Sequence, residues 1–242
     1  MASLHGKCAI VTGGSRGIGL SIARALADEG ADVVISGTDQ ARLDQAHASL
    51  TAGRGDSLRV VAVRADVRDP ADAAHLVGVA VDRFGGLDIL VNNAGTAVMR
   101  EVASMTIDEW RRIIDTNLSG VFYCCHAALP HLKARGAGWI INISSLGARN
   151  TFVGGAAYCA SKAGLNAFGE AMMQEVRHDG IRVTTVSPGS VRTGFSSGGD
   201  APGTEWKLSP DDVARVVIDL LNHPARSLPS AVDIRPARPP KK

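Results

Sequence analysis

Seven short apolar runs recur from one end of the chain to the other, and most are followed by a longer stretch patterned for a helix. The runs are "CAIVTG", "ADVVISG", "LRVVAVRAD", "LDILVNNAG", "GWIINISS", "IRVTTVSPG" and a last short one, "AVDIR". Segments at 18–29, 70–84, 107–135, 158–177 and 211–221 carry apolar residues at helical spacing. Strands this uniformly apolar belong in a sheet covered on both sides, and strand–helix alternation with right-handed crossovers makes that sheet parallel. The pattern predicts an α/β fold, a doubly wound parallel sheet of about seven strands with helices on both faces. No repeat or internal linker interrupts it, so one domain is expected over 1–234, followed by a basic, Pro-rich tail at 235–242. "SSGGDAPG" at 196–203 reads as a mobile loop at the C-terminal edge of the sheet, where ligands of such folds bind.

The composition excludes several classes of function. The 242 residues are 45% hydrophobic with 27 glycines, enough for a substantial core and many tight turns. No apolar run approaches the roughly 18 residues of a membrane span, and "MASLHGKCAIVTGG" lacks a signal-peptide core, so a cytoplasmic protein is expected. The net charge of +2 depends on the last eight residues, "RPARPPKK". Without Arg235, Arg238, Lys241 and Lys242, the 26 basic residues become 22, against 24 acidic. That is no nucleic-acid footprint, and the tail is expected to be disordered or to lie on the surface. Cys8, Cys124, Cys125 and Cys159 show no metal-ligand spacing and read as reduced core thiols.

Two groups of residues carry chemistry. "TGGSRGIG" at 12–19 directly follows the first strand and opens the first helix. Gly13 allows the tight turn, Gly17 a close approach of backbone to phosphate, and Gly19 tight helix–strand packing. The helix N-terminus then offers free N–H groups to an anion. No Gly-Lys-Ser/Thr follows, which argues against a triphosphate loop. In "YCASK", Tyr158 and Lys162 stand one helical turn apart on the same face. A phenol has a pKa of about 10, and a neighbouring cation stabilises the phenolate. Such a tyrosine can act as general acid toward a carbonyl or as base toward an alcohol. Ser145, thirteen residues earlier at the end of "IINISS", can donate to the developing alkoxide, whereas Ser144 alternates to the other side and reads as structural.

These stretches, with "NNAG" at 92–95, the Asn117 of "DTNLSG" and "PGSVRT" at 188–193, resemble the short-chain dehydrogenase/reductase family in order and approximate spacing over nearly the whole chain. The resemblance implies a Rossmann fold and a tetrad of Asn117, Ser145, Tyr158 and Lys162. Tyr158 would be the acid/base and Ser145 the residue orienting the substrate oxygen. Lys162 would bind the nicotinamide ribose and lower the Tyr158 pKa, and Asn117 would shape a water relay. It implies cofactor contacts from Gly13, Ser15, Arg16, Gly17, Ile18 and Gly19 of the loop, and from Asn93, Ala94 and Gly95. Asp66 and Val67 match adenine contacts, and Pro188, Gly189, Val191 and Thr193 match the nicotinamide side. A dimer or tetramer follows by the same resemblance, through helices at 118–133 and 158–176.

The identity of the dinucleotide turns on "VVISGTDQARL" at 33–43. Counting from the glycine loop nominates Asp39, 20 residues past Gly19, as the acid that grips the ribose of NAD. The family pattern instead places that acid at Gly37 and a basic residue at Thr38. Gly37 then leaves room for a 2′-phosphate, Arg16 can meet it, and the Ser36 and Thr38 hydroxyls can add hydrogen bonds. This reading gives NADP(H), with Asp39 capping a helix that begins near Gln40. Val98, Leu146, Phe152, Phe195 and Trp206 are the candidate substrate pocket, with Ala97 and Val153 beside them and Arg149 as the one nearby charge. The leading expectation is an NADP(H)-dependent carbonyl reductase, reversibly an alcohol dehydrogenase, of ketone or 3-oxoacyl type. The C-terminal pattern of acyl-carrier-protein ketoreductases, a glycine pair after the last strand, is absent. An NAD-preferring sugar or polyol dehydrogenase and a non-catalytic nucleotide sensor or scaffold are the alternatives.

Overall fold

The computed structural model describes residues 4–53, 59–195 and 203–240. The loop expected at 196–203 therefore lies, but for Gly203, outside the described residues. The strands are β1 (Cys8–Val11), β2 (Asp32–Gly37), β3 (Val60–Arg64), β4 (Ile89–Asn92), β5 (Gly138–Ile143), β6 (Ile181–Pro188) and β7 (Ala231–Ile234). The helices are α1 (Gly17–Asp28), α2 (Gln40–Thr51), α3 (Pro70–Phe84), α4 (Ile107–Ile114), α5 (Gly120–Ala134), α6 (Ala156–Val176) and α7 (Pro210–Leu221). All strand pairs are parallel, in the order β3-β2-β1-β4-β5-β6-β7.

Alternation along the strands divides the core in two. Ala9 and Val11 of β1, Val33 and Ile35 of β2 and Ile141 of β5 face the layer of α1, α2 and α7. Cys8, Ile10, Val34, Leu90 and Ile140 point the other way, into the layer of α3, α5 and α6. A strand buried on both faces has no polar alternate positions, which is why these runs are almost continuously apolar. Cys8, Cys124, Cys125 and Cys159 are buried and unbridged. Burial pushes the thiols of Cys8 and Cys124 up to about 12. No helix among the described residues is long and apolar enough to cross a membrane.

The chain runs outward from β1 through β2 to β3, then returns to place β4 on the other side of β1. The crossovers from β1 and β4 diverge there, leaving a crevice at the carboxyl ends of the strands. Local signals set what surrounds it. Side chains cap α2 (Asp39 accepting from the Arg42 N–H), α3 (Asp69, with Pro70 in the first turn), and α4 and α7 through capping boxes of Thr106 with Glu109 and Ser209 with Asp212. No side chain caps α1, which begins at Gly17 with Arg16 as its N-cap.

One feature departs from the sequence reading. The segment expected as one helix over 107–135 is interrupted by a π-helical turn at Asp115–Ser119, with Asn117 at its centre. The tail is exposed at most of its described positions, and from the surface Arg235, Pro236 and Pro239 line the crevice. Parallel pairing of β7 with β6 matches Ile234 to Pro188 and delivers the following residues to the same end of the sheet.

Candidate active site

A cleft of about 950 Å³ opens at the carboxyl ends of the strands, with the glycine loop at one end and the C-terminal tail at the other. Gly13 and Gly17 have φ of 63° and 55°, the left-handed region that favours glycine. A Cβ on Gly13 would lie 2.9 Å from the Ala94 Cα, and one on Gly19 only 2.3 Å from the Gly13 carbonyl oxygen. Asn93 Nδ2 donates to the Thr12 and Gly13 carbonyls at 2.9 and 3.1 Å, and Thr12 Oγ1 accepts from the Asn93 and Ala94 N–H groups. The 92–95 segment thus braces the glycine loop from β4. Asn92 itself turns into the core, where its Nδ2 donates to Asn142 Oδ1 on β5 at 2.9 Å. Gly19→Ala is expected to destabilise the fold by about 1–3 kcal/mol, because backbone is what its methyl would meet. The midpoint of urea unfolding reads this.

At the end of β2, Ser36 Oγ is buried and has no hydrogen-bond partner among the described residues, and Ser36 lines the cleft. Gly37 and Thr38 line it too, as do Arg16 and a residue that sequence reasoning missed, Arg42. Asp39 Oδ1 accepts from the Arg42 N–H at 3.1 Å, and its Oδ2 lies 3.2 Å from Arg42 Nε. Both carboxylate oxygens thereby contact one arginine. Arg42 follows the cap by three residues, and that spacing was the available signal. Arg16 crosses the cleft to the Gly194 carbonyl at 3.4 Å. Asp66 and Val67 both line the cleft. Hydrogen bonds from Arg68 hold the Asp66 carboxyl below the usual range, and Gly120 packs against Val67, its Cβ position 2.8 Å from Val67 Cγ2.

The expected catalytic residues come from three elements. Ser145 follows β5 and opens a short 3₁₀ turn, its Oγ accepting from the Gly147 N–H at 3.0 Å. Tyr158 and Lys162 stand on α6 and also line the cleft. Burial raises the Tyr158 phenol above its ordinary value and a hydrogen bond with Ser145 opposes that rise. Lys162 Nζ is buried and donates to the Ile143 carbonyl at 2.8 Å. Burial pulls its pKa down to about 8. The expected pull of Lys162 on the phenol is not among the influences on Tyr158 in this structure. Ser144 also lines the cleft, and its Oγ donates to Asn166 Oδ1 at 2.6 Å.

Asn117 is buried and does not line the cleft. Its Oδ1 accepts from the Thr96 N–H at 2.8 Å, and its Nδ2 donates to the Thr96 carbonyl and to Ser161 Oγ at 2.9 and 3.0 Å. The side chain therefore ties the segment after β4 to α6, behind Lys162. The expected cofactor contacts Gly13, Ser15, Arg16, Gly17, Ile18, Gly19, Asn93, Ala94, Gly95, Pro188, Gly189, Val191 and Thr193 all reach the cleft. Of the expected substrate residues, Leu146, Phe152, Phe195 and Trp206 line it and Val98 does not; the neighbouring Met99 does. The segment after β4 is irregular, so no period fixed which side chain would turn inward. The Tyr158 and Phe195 rings lie 6.2 Å apart. Arg149 is engaged by Asp233 of β7 and does not line the cleft.

A family model described as short chain dehydrogenase matches residues 7–200. An uncharacterized oxidoreductase of Staphylococcus aureus is 34% identical over 236 residues, covering 98% of this chain and all of that protein. A metagenomic short-chain oxidoreductase solved in complex with NADP has a TM-score of 0.85 and 35% identity, over 98% of this chain and 100% of the other. A short chain dehydrogenase from Burkholderia cenocepacia, also in complex with NADP, has a TM-score of 0.87 and 33% identity, over 97% and 98%.

Proposed function

The chain belongs to the short-chain dehydrogenase/reductase family, and from that premise we propose that it is an NADP(H)-dependent oxidoreductase interconverting a carbonyl compound and its secondary alcohol. The observation that carries this reading is that Ser145, Tyr158 and Lys162 share one cleft with the glycine loop. The cleft suits a dinucleotide phosphate by its own features. It has a glycine cradle that a Cβ would fill, an uncapped helix N-terminus, and, at the β2 end, a buried Ser36 hydroxyl without a partner among the described residues. Arg16 and Arg42 at that same end favour NADP(H) over NAD(H), since a phosphate ester gains from two guanidinium groups. The NADP complexes of the two similar structures support the same choice.

When bound in this cleft, a nicotinamide would supply a hydride equivalent; the protein's part is to hold the carbonyl oxygen and move a proton. In carbonyl reduction, the Ser145 and Tyr158 hydroxyls donate to that oxygen, and Tyr158 passes its proton to it as negative charge develops there. Lys162 stabilises the phenolate that remains. Burial opposes charge on both groups when they stand alone, and the two charges placed together offset that cost. Asn117 holds the Thr96 segment against α6, and a proton relay would pass beside it.

A panel of carbonyl substrates with NADPH and with NADH, followed at 340 nm, tests the reading; no turnover with any carbonyl or alcohol would overturn it. In alcohol oxidation Tyr158 acts as the base, so its rate rises with pH through the phenol's pKa. Lys162→Met removes the stabilising cation, so this profile is expected to move to higher pH and cofactor affinity to fall. The pH dependence of kcat and a cofactor titration check both. A homodimer or homotetramer belongs to the same proposal. Phe122 of α5, exposed and set against Phe168 of α6, supports helix pairing across a two-fold axis, and light scattering reads the mass.

A further inference from the structure

The tail and the segment before α7 add charge to one end of the cleft. Leu146, Phe152, Phe195, Trp206 and Pro236 give that end an apolar wall. Lys207 and Arg235 line the cleft beside that wall, in addition to Lys162 and to Arg112 of α4; among the described residues, the carboxylates lining the cleft are Asp39 and Asp66, at the β2–β3 end, paired with Arg42 and Arg68. Among the described residues, Asp233 is the one carboxylate within ion-pair distance of Arg235, at 3.5 Å, and it is engaged more closely by Arg149. One carboxylate shared by two guanidinium groups leaves a positive charge there. Among the described residues no carboxylate pairs with Lys207, which is half-buried.

Backbone hydrogen bonds anchor the segments that carry the two residues on either side of the β6 end, and the Arg235 side chain itself is 59% exposed. The Leu208 N–H donates to the Ser190 carbonyl at 3.0 Å and the Leu208 carbonyl accepts from the Arg192 N–H at 2.8 Å, which fixes Lys207. The Gly189 N–H donates to the Ile234 carbonyl at 2.8 Å, which fixes Arg235 from the other side. A Cβ at Gly189 would lie 3.0 Å from Pro236 Cδ and 3.2 Å from Leu146 Cδ1, so the tail packs directly onto the floor of this pocket. An apolar pocket with uncompensated cations at its rim matches a ligand with an apolar body and an anionic end.

We propose that the substrate is a carbonyl compound bearing a carboxylate or phosphate, whose anionic group is received by Lys207 and by Arg235 of the C-terminal tail. This rests on the reductase reading above and names its substrate class. The test compares benzoylpropionate, its uncharged methyl ester and phenacyl phosphate, with NADPH, in the wild type, Lys207→Met and Arg235→Met. The wild type should favour at least one anion over the ester in kcat/KM by roughly tenfold, and whichever anion is favoured names the source. Each variant should raise the KM of that anion roughly three- to tenfold. Its kcat, the KM of the ester and the KM of NADPH should stay as they were. Equal use of ester and anions, or variants that raise the KM of ester and anion alike, would overturn the proposal. So would a matching rise in the NADPH KM, which would assign the pair to the cofactor. Calorimetric binding of the same three probes keeps the test separate from turnover. If nothing is reduced but an anion binds and the variants weaken it, the reductase reading fails and the anion site stands. If anion and ester bind alike, the site itself is refuted.

Discussion

Replacing Tyr158 by phenylalanine is expected to lower kcat for carbonyl reduction by about 10²–10⁴-fold, the usual contribution of a positioned general acid. The substitution deletes one oxygen. The ring keeps its contact with Phe195, and Ser145 Oγ keeps the Gly147 N–H, so the pocket retains its shape. Tyr158 is only partly buried, so its missing hydroxyl leaves no orphaned partner deep in the core. Thermal stability and NADPH affinity should therefore stay near wild type while turnover collapses, the pattern of an interaction made chiefly in the transition state. Ser145→Ala provides the comparison. It removes a donor to the same oxygen but not the transferred proton, so its deficit should be smaller and its pH profile unshifted. Steady-state kinetics with a dye-based melting curve separates the effects. A Tyr158→Phe enzyme retaining more than about a tenth of wild-type turnover would move proton transfer to another group.

How much of this was legible in advance follows from which interactions are local. The strand runs announced themselves because burial on both faces leaves no polar alternate positions. The α2 cap at Asp39 was legible because capping needs only a side chain two or three residues from the N–H it accepts. The glycine loop and the Tyr158–Lys162 pair are likewise short-range patterns. What the chain hid was set by distance or by irregular backbone. The π turn at Asp115–Ser119 lengthens one turn between two helical segments, and one extra residue per turn leaves no compositional mark. Val98 and Met99 exchanged roles where no period operates. The tail reads as a disordered or surface-lying end from "RPARPPKK", and its place beside the cleft depends on β7 pairing with β6, some forty residues earlier in the chain. Arg149 looked like the free charge, and β7 supplied the Asp233 that engages it.

The other large effect concerns the end of β2. Arg16→Ala should weaken NADPH by roughly ten- to a hundredfold, the worth of a charge-assisted contact of about 1.5–3 kcal/mol, and leave NADH nearly unchanged. Arg42→Ala should act in the same direction but less, because Asp39 already neutralises part of its charge. Gly37→Asp adds the opposite effect. A Cβ there would meet Ser15 Oγ at 3.3 Å and Leu43 Cδ2 at 3.7 Å, a fit that needs only a small movement of a hydroxyl. The new carboxylate would accept from the ribose hydroxyls of NADH and repel the phosphate of NADPH. The double variant Arg16→Ala/Gly37→Asp should invert the preference, since one change removes an attraction and the other introduces a repulsion. Competition between the two dinucleotides in wild type, single and double variants measures this directly. Asp39→Ala is the control that discriminates between the two readings of this stretch. With Asp39 engaged by Arg42, its removal frees the guanidinium and should tighten NADPH. A wild type that instead prefers NADH, and loses that preference with Asp39→Ala, would make Asp39 the ribose ligand and refute the assignment of NADP(H).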